Sequence, residues 1–227
     1  MACNWSAENA TKAYLKTLKM GKLAKEPAVA EFVSALAAGN SGHFMVEACS
    51  GIAGATTLAL VVAAHQTGGR VVCILRGHAE LESSRNALGP NAKFVDFVIG
   101  DARRLLLNCY KGADFVLIDC NLDDHEGILR AVQEGAVDKG AVVVGYNAFS
   151  KQGSWWNKSG FKTQLLPIGE GLLVCRIPAS NPKVDLMEAA KNKSHWIVRI
   201  DKCTGEEHVF RVPKSSSLHH QSKVIKA

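Results

Sequence analysis

No apolar run in the 227-residue sequence reaches the roughly 18–20 residues that a membrane-spanning helix needs, so no membrane association is expected. The first residues, MACNWSAENATKAY, lack the basic-then-apolar layout of a secretory signal. No two cysteines stand in CxxC spacing, so no zinc site is expected from the sequence. The cysteines number seven, and Cys49, Cys73, Cys120 and Cys175 lie in or beside apolar runs. They read as reduced, buried thiols rather than a disulfide frame, which places the protein inside the cell, in the cytoplasm. There is no GxSxG turn and no GxxxxGK[ST] loop, so serine-hydrolase and P-loop chemistries have no support. His43, His65, His78 and His125 show no mutual ligand spacing and read as surface or capping residues.

What is present is the composition of an ordinary globule, 47% apolar and 21% charged. The formal net charge of +6 is unevenly placed: residues 1–150 carry 14 basic and 15 acidic side chains, residues 151–227 carry 13 and 6. A basic C-terminal third can hold an anionic surface, but it reads here as a solvated appendage, with no nucleic-acid partner expected.

Along the chain, Ser6 can cap a helix over about 7–18, with Lys12, Lys16, Lys19 and Lys22 as a basic stripe. Pro27 opens a second helix that ends at Gly39, and Val29, Phe32, Val33 and Leu36 form a face to pack on a sheet. Strand patterns follow at 44–46, 70–75, 92–102, 113–120 and 141–147, alternating with helical segments. Such alternation predicts a Rossmann-like doubly wound α/β fold, a mostly parallel sheet of about seven strands with helices on both faces. Residues 161–168 and 171–177 read as a hairpin that adds an antiparallel edge. Residues 195–212 read as a C-terminal β-hairpin with its turn at Thr204–Gly205. The expected division is a domain over 1–180, a linker and hairpin over 181–212, and a disordered tail over 213–227. The polar stretch 149–161 carries Trp155 and Trp156, which suit a loop over a site where rings stack on a planar substrate or anchor the loop.

The stretch HFMVEACSGIAGATTLA, residues 43–59, is the centre of this pattern. A short apolar strand ends in Glu47, a slim turn holds Ser50, Gly51, Ala53 and Gly54, and an apolar helix begins near Thr56. In parallel α/β sheets ligands sit at the carboxyl ends of strands, where small residues admit a ligand and the helix N-terminus offers unpaired N–H groups. Asp101 and Asp119 stand at or past two further strand ends. Three converging carboxylates suit a ligand that is cationic and rich in hydroxyls.

VEACSGIAG resembles the first motif of class I S-adenosylmethionine-dependent methyltransferases, Gly100-Asp101-Ala102 their adenine-side motif, and DFVLIDC their fourth strand. AEFVSALAA and GGRVVCI resemble the catechol/caffeoyl-CoA O-methyltransferase branch, and the chain is also similar to a group of uncharacterised plant proteins with this fold. The likeness covers about residues 27–147. It implies S-adenosylmethionine as cofactor, with Glu47, Ser50, Gly51 and Gly54 along its methionine portion and Asp101-Ala102 at its adenine. Two departures qualify it. The acid that holds the ribose diol in that family is replaced by Leu75, followed by Arg76, and neither accepts hydrogen bonds from hydroxyls. Glu80 or Glu82 can substitute only from the next helix, where first-turn acids are ordinary. The branch's metal set is an Asp after the fourth strand and an Asp-Asn pair after the fifth; here Asp119 and Asn147 remain but Tyr146 takes the middle place. No catalytic metal is expected, and Asp119 is left as a candidate general base or as a helix cap.

Three functions follow as alternatives: a metal-independent methyltransferase acting on a small oxygen or nitrogen nucleophile; a non-catalytic binding or scaffold protein of the same fold; and another dinucleotide-fold enzyme, NAD-linked, which the incomplete glycine pattern disfavours. The substrate is an unknown small molecule, and the oligomeric state is open, a homodimer included.

Overall fold

The strand–helix alternation is realised, in the computed structural model, as one seven-stranded sheet with helices on both faces. The structure describes residues 5–20, 29–136, 140–150, 163–179, 194–200 and 207–213. The helices are α1 (Ala7–Met20), α2 (Val29–Gly39), α3 (Ala55–Thr67), α4 (His78–Leu88), α5 (Ala102–Asn108) and α6 (His125–Gly135). The sheet strands are β1 (Phe44–Ala48), β2 (Arg70–Leu75), β3 (Val95–Ile99), β4 (Phe115–Asp119), β5 (Ala141–Tyr146), β6 (Thr163–Leu166) and β7 (Leu172–Ile177), in the order β3-β2-β1-β4-β5-β7-β6. β1 to β5 pair in parallel, while β7 runs antiparallel to both β5 and β6. A separate unit over Asn181–Ala227 contains an antiparallel hairpin, β8 (Ser194–Ile200) with β9 (Glu207–Pro213).

Local chemistry sets the boundaries. The Ser6 hydroxyl accepts from the Asn9 N–H at 3.2 Å at the start of α1. Asp101 caps α5 by accepting the Arg104 N–H at 2.7 Å, and Asp124 caps α6 by accepting the Gly127 N–H at 3.2 Å. The helix expected from about residue 124 is therefore capped by Asp124 and not by Asp119. The β3 strand is shorter than the expected 92–102, because Gly89–Phe94 forms a 3₁₀ turn with Pro90 in its first positions. The β6–β7 turn needs glycine at 171: its φ of +88° is left-handed, and a Cβ there would lie 2.8 Å from the Phe149 ring.

The central strands are apolar on both faces, as a covered parallel sheet requires. Met45, Cys73, Leu117 and Val144 pack on the side of α2 and α3; Val46, Ile74, Ile118 and Val143 pack on the side of α6. The expected α2 face is realised in part: Val33 and Leu36 are buried in the first of these layers, and the helix packs on α1 and α3 as well as above the sheet. Cys49, Cys73, Cys120 and Cys175 are buried, and none of them is in a disulfide. Among the described residues no helix is long and apolar enough to cross a membrane. The Thr204–Gly205 turn, the Trp155-Trp156 stretch and the tail after residue 213 lie outside the described residues.

Candidate functional site

The sheet order changes direction at β1: β2 and β3 lie on one side of it, β4 and β5 on the other. Crevices at such switch points, outside the carboxyl ends of the strands, are where open α/β sheets bind ligands. β1 leaves the sheet at Ala48, and residues 49–54 turn the chain into α3 at this point.

Glu47 is on β1, level with Cys73 of β2 and Leu117 of β4, and is completely buried. Thr56, in the first turn of α3, donates its hydroxyl to Glu47 Oε1 at 2.7 Å, while Oε2 is buried with no hydrogen-bond partner. Burial pushes the carboxyl above its ordinary range; the nearby Thr56, Thr57 and Cys49 side chains oppose this, and the Asp119 charge adds to it. Such an acid is either protonated or waiting for a cation.

Asp119 ends β4 one strand away and is 5% exposed. Its Oδ2 accepts the Ser50 hydroxyl and, at 3.4 Å, the Ser50 N–H; its Oδ1 accepts the Asn121 N–H at 3.0 Å and Asn147 Nδ2 at 2.9 Å. Asn147 reaches it from a left-handed backbone, φ +58°, a conformation Asn tolerates better than most residues. The carboxylate thus ties the β1–α3 turn to the ends of β4 and β5. Tyr146, in register with Asp119, lies beside Thr56 and Cys49, and burial pushes its phenol upward, with the charges of Glu47, Cys49 and Asp119 adding to the shift. It stays protonated and cannot serve as a base near neutral pH.

The turn is held from its other side. Ser84, fully buried in α4, accepts the Ala53 N–H at 2.9 Å and donates to the Glu80 carbonyl at 2.5 Å. A Cβ added at Gly51 or Gly54 would meet no atom within 4 Å, so the protein's own packing does not demand either glycine. Open space of this kind at a switch point is room for a ligand.

Beside the turn, a cleft of about 570 Å³, its open mouth included, runs past the ends of β1 to β4. Its walls are Cys49, Ile74, Leu75, Arg76, Gly100 to Arg103, Leu122 to Asp124 and Ile128. Leu75 is buried at the β2 end, and the half-exposed Arg76 lies 3.7 Å from Asp123 of the opposite wall. Neither Glu80 nor Glu82 lines this cleft.

The sequence-derived residues therefore fall into two neighbouring places. Glu47, Ser50 and Asp119 meet at the switch point beside Gly51 and Gly54, whereas Asp101 and Ala102 line the cleft, with Asp101 also spent on capping α5. Cys49 joins the two. Sequence reading missed Thr56 and Ser84 as groups that hold the site, and singled out Asn147 only as a remnant of a metal set, whereas it donates to Asp119. Nothing local signalled Ser84, because it acts through a partner distant in sequence.

A family model described as "Protein of unknown function (DUF1442)" matches residues 1–212. No curated protein matches the chain significantly. Solved structures are similar at low identity. A methyltransferase from Geobacter sulfurreducens is 18% identical with a TM-score of 0.55, covering 77% of this chain and 90% of that one. A putative caffeoyl-CoA O-methyltransferase from Staphylococcus aureus is 14% identical with a TM-score of 0.56, covering 76% and 93%. A Podospora anserina methyltransferase with bound S-adenosylhomocysteine is 14% identical with a TM-score of 0.56, covering 78% and 91%. The chain has the fold of these methyltransferases.

Proposed function

Because the chain belongs to the DUF1442 family of proteins of unknown function, whose description names no reaction, we propose from the site itself that it binds S-adenosylmethionine and transfers the methyl group to a small oxygen or nitrogen nucleophile without magnesium. The observation that carries this reading is the buried, unpartnered Oε2 of Glu47 beside a turn whose glycines face open space. Glu47 would hold the ammonium of the methionine portion, and a cation there removes the cost of the orphaned carboxylate. The Ser50–Gly54 backbone would carry the same portion at the N-terminus of α3. Ala102, Leu122 and Ile128 would enclose the adenine in the cleft. When bound, the cofactor supplies a sulfonium already activated for transfer. The protein's share is then proximity, alignment and exclusion of water.

Asp119 is best read as the anchor of the Ser50 turn, since four protein donors already occupy its oxygens. The same network disfavours a magnesium ion there, which needs free oxygen lone pairs in octahedral array. Tyr146 in place of a ligand acid points the same way.

A second reading, a binding protein that has lost catalysis, is favoured by Leu75 and Arg76 at the ribose corner. Losing a charge-assisted pair to the diol costs about 1.5–3 kcal/mol, roughly 10- to 100-fold in affinity. Calorimetry with S-adenosylmethionine, S-adenosylhomocysteine and NAD tests both. Binding of the first two is expected; binding of NAD alone would mean a dinucleotide enzyme instead. Binding without methyl transfer to a panel of phenols and amines would support the non-catalytic reading.

A further inference from the structure

Two thiols and a carboxylate converge at the upper edge of the sheet although they are far apart in sequence. Cys49 follows β1, Cys73 lies within β2, and Glu47 is level with Cys73 on the neighbouring strand. All three are buried, and one ligand atom from each lies within 4.8 Å of the others. The Cys49 and Cys73 sulfurs are 3.5 Å apart, too far for a disulfide. Thiolates about 2.3 Å from a tetrahedral ion sit about 3.8 Å from each other, so the observed spacing needs only a small adjustment. The third donor is a carboxylate oxygen of Glu47, whose Oε2 has no hydrogen-bond partner.

We propose that Glu47, Cys49 and Cys73 form a binding site for one thiophilic divalent cation of the zinc type. The donor set decides the class: two sulfurs select a soft or borderline ion and reject magnesium and calcium. Binding releases the two thiol protons, and that of Glu47 where its carboxyl is protonated, leaving two thiolates and one carboxylate around the dication. The surplus negative charge lies by the N-terminus of α3, whose dipole and Thr56 hydroxyl oppose it. Cys49 also forms part of the cleft wall, which gives the ion an entry path. Motif reading cannot find such a site, because its donors come from neighbouring parallel strands and not from one CxxC turn. The site shares Glu47 with the proposed cofactor position, so an ion there competes with the cofactor's ammonium. That consequence alone rests on the function proposed above.

The test uses the full chain with Cys3, Cys109 and Cys203 replaced by serine, since Cys109 is an exposed competing thiol and the other two lie outside the described residues. Cadmium titrated under a phosphine reductant is expected to bind one ion per chain with a near-ultraviolet thiolate charge-transfer band. Cys73→Ser should weaken binding by at least the roughly 10- to 100-fold that outer-shell partners are worth, and Glu47→Gln should act likewise without removing the band. Cys175→Ala, on the other face of the sheet, should leave both unchanged. A missing band, or one that persists in a Cys49→Ala/Cys73→Ala variant, would overturn the site. Should those variants fail to fold, X-ray absorption of the zinc-loaded parent chain decides: two sulfur neighbours at about 2.3 Å support the site, and a shell of nitrogen and oxygen alone refutes it. Loss of S-adenosylhomocysteine affinity on cadmium loading reports the competition separately.

Discussion

A carboxyl group sealed from water and left with one unpaired oxygen ties Glu47 to pH. Its pKa is raised in the folded chain above the ordinary 4.5, chiefly by burial. A raised acid favours the folded state while protonated; that contribution is complete below the unfolded pKa and is lost as pH rises through the folded one. Glu47→Gln is neutral at every pH, so its melting temperature should exceed that of the natural chain by a margin that grows upward from about pH 4.5. Scanning calorimetry across pH 4–8 checks this, and a constant margin would mean Glu47 does not titrate there. A cationic ligand lowers the same pKa, so binding of S-adenosylhomocysteine should release protons, read from calorimetry in buffers of different ionisation enthalpy. Across the switch point, Asp119 and Tyr146 govern the response to magnesium. Added Mg²⁺ should give no thermal stabilisation, while Tyr146→Asp, which sets a second carboxylate in register with Asp119, should create it. Micromolar magnesium binding by the natural chain would contradict this.

The β1–α3 turn is the element on which the site depends, and it is held by side chains from elsewhere: Asp119 on one side and Ser84 on the other. Ser84→Ala leaves the buried Ala53 N–H unpaired and should cost about 1–3 kcal/mol of stability, with weaker S-adenosylhomocysteine binding as the turn loosens. Chemical denaturation with calorimetry measures both. Gly51→Val should behave oppositely. Because a Cβ at 51 meets nothing within 4 Å, the fold should keep its stability while S-adenosylhomocysteine binding disappears; unchanged affinity in the folded variant would remove the turn from the site. The turn was legible in the sequence because a cluster of Ser, Gly and Ala between an apolar strand and an apolar helix is a turn signal. Its anchors were not: a lone serine in α4 reads as a surface residue until the fold brings it close, and Asn147, which the resemblance marks as a metal-set residue, holds Asp119 instead.

At the scale of the whole molecule, the strand order separates this chain from the six-stranded dinucleotide-binding order, because an antiparallel β7 is inserted beside β5. Met1–Ser180 and Asn181–Ala227 form two compact units, and the first contains the whole sheet and the candidate site. A chain ending at Ser180 should therefore fold alone and keep its S-adenosylhomocysteine affinity, checked by circular dichroism and calorimetry. Loss of folding in that chain would show that the second unit is needed.

The amino-acid sequence by itself determined the alternation of strands and helices, the parallel centre of the sheet and the hairpin after β5, because hydrophobic periodicity and turn chemistry act over a few residues. It also placed Glu47, Asp101 and Asp119 at strand ends. Tertiary structure alone decided which carboxylates at the switch point stay available: Asp119 is taken by Ser50 and Asn147, and Glu47 keeps one oxygen free. It alone brought Cys49 and Cys73 together. Hydrogen-bond partners and thiol neighbours across a parallel sheet are set by register between strands some 25 to 70 residues apart, and no local pattern encodes that register.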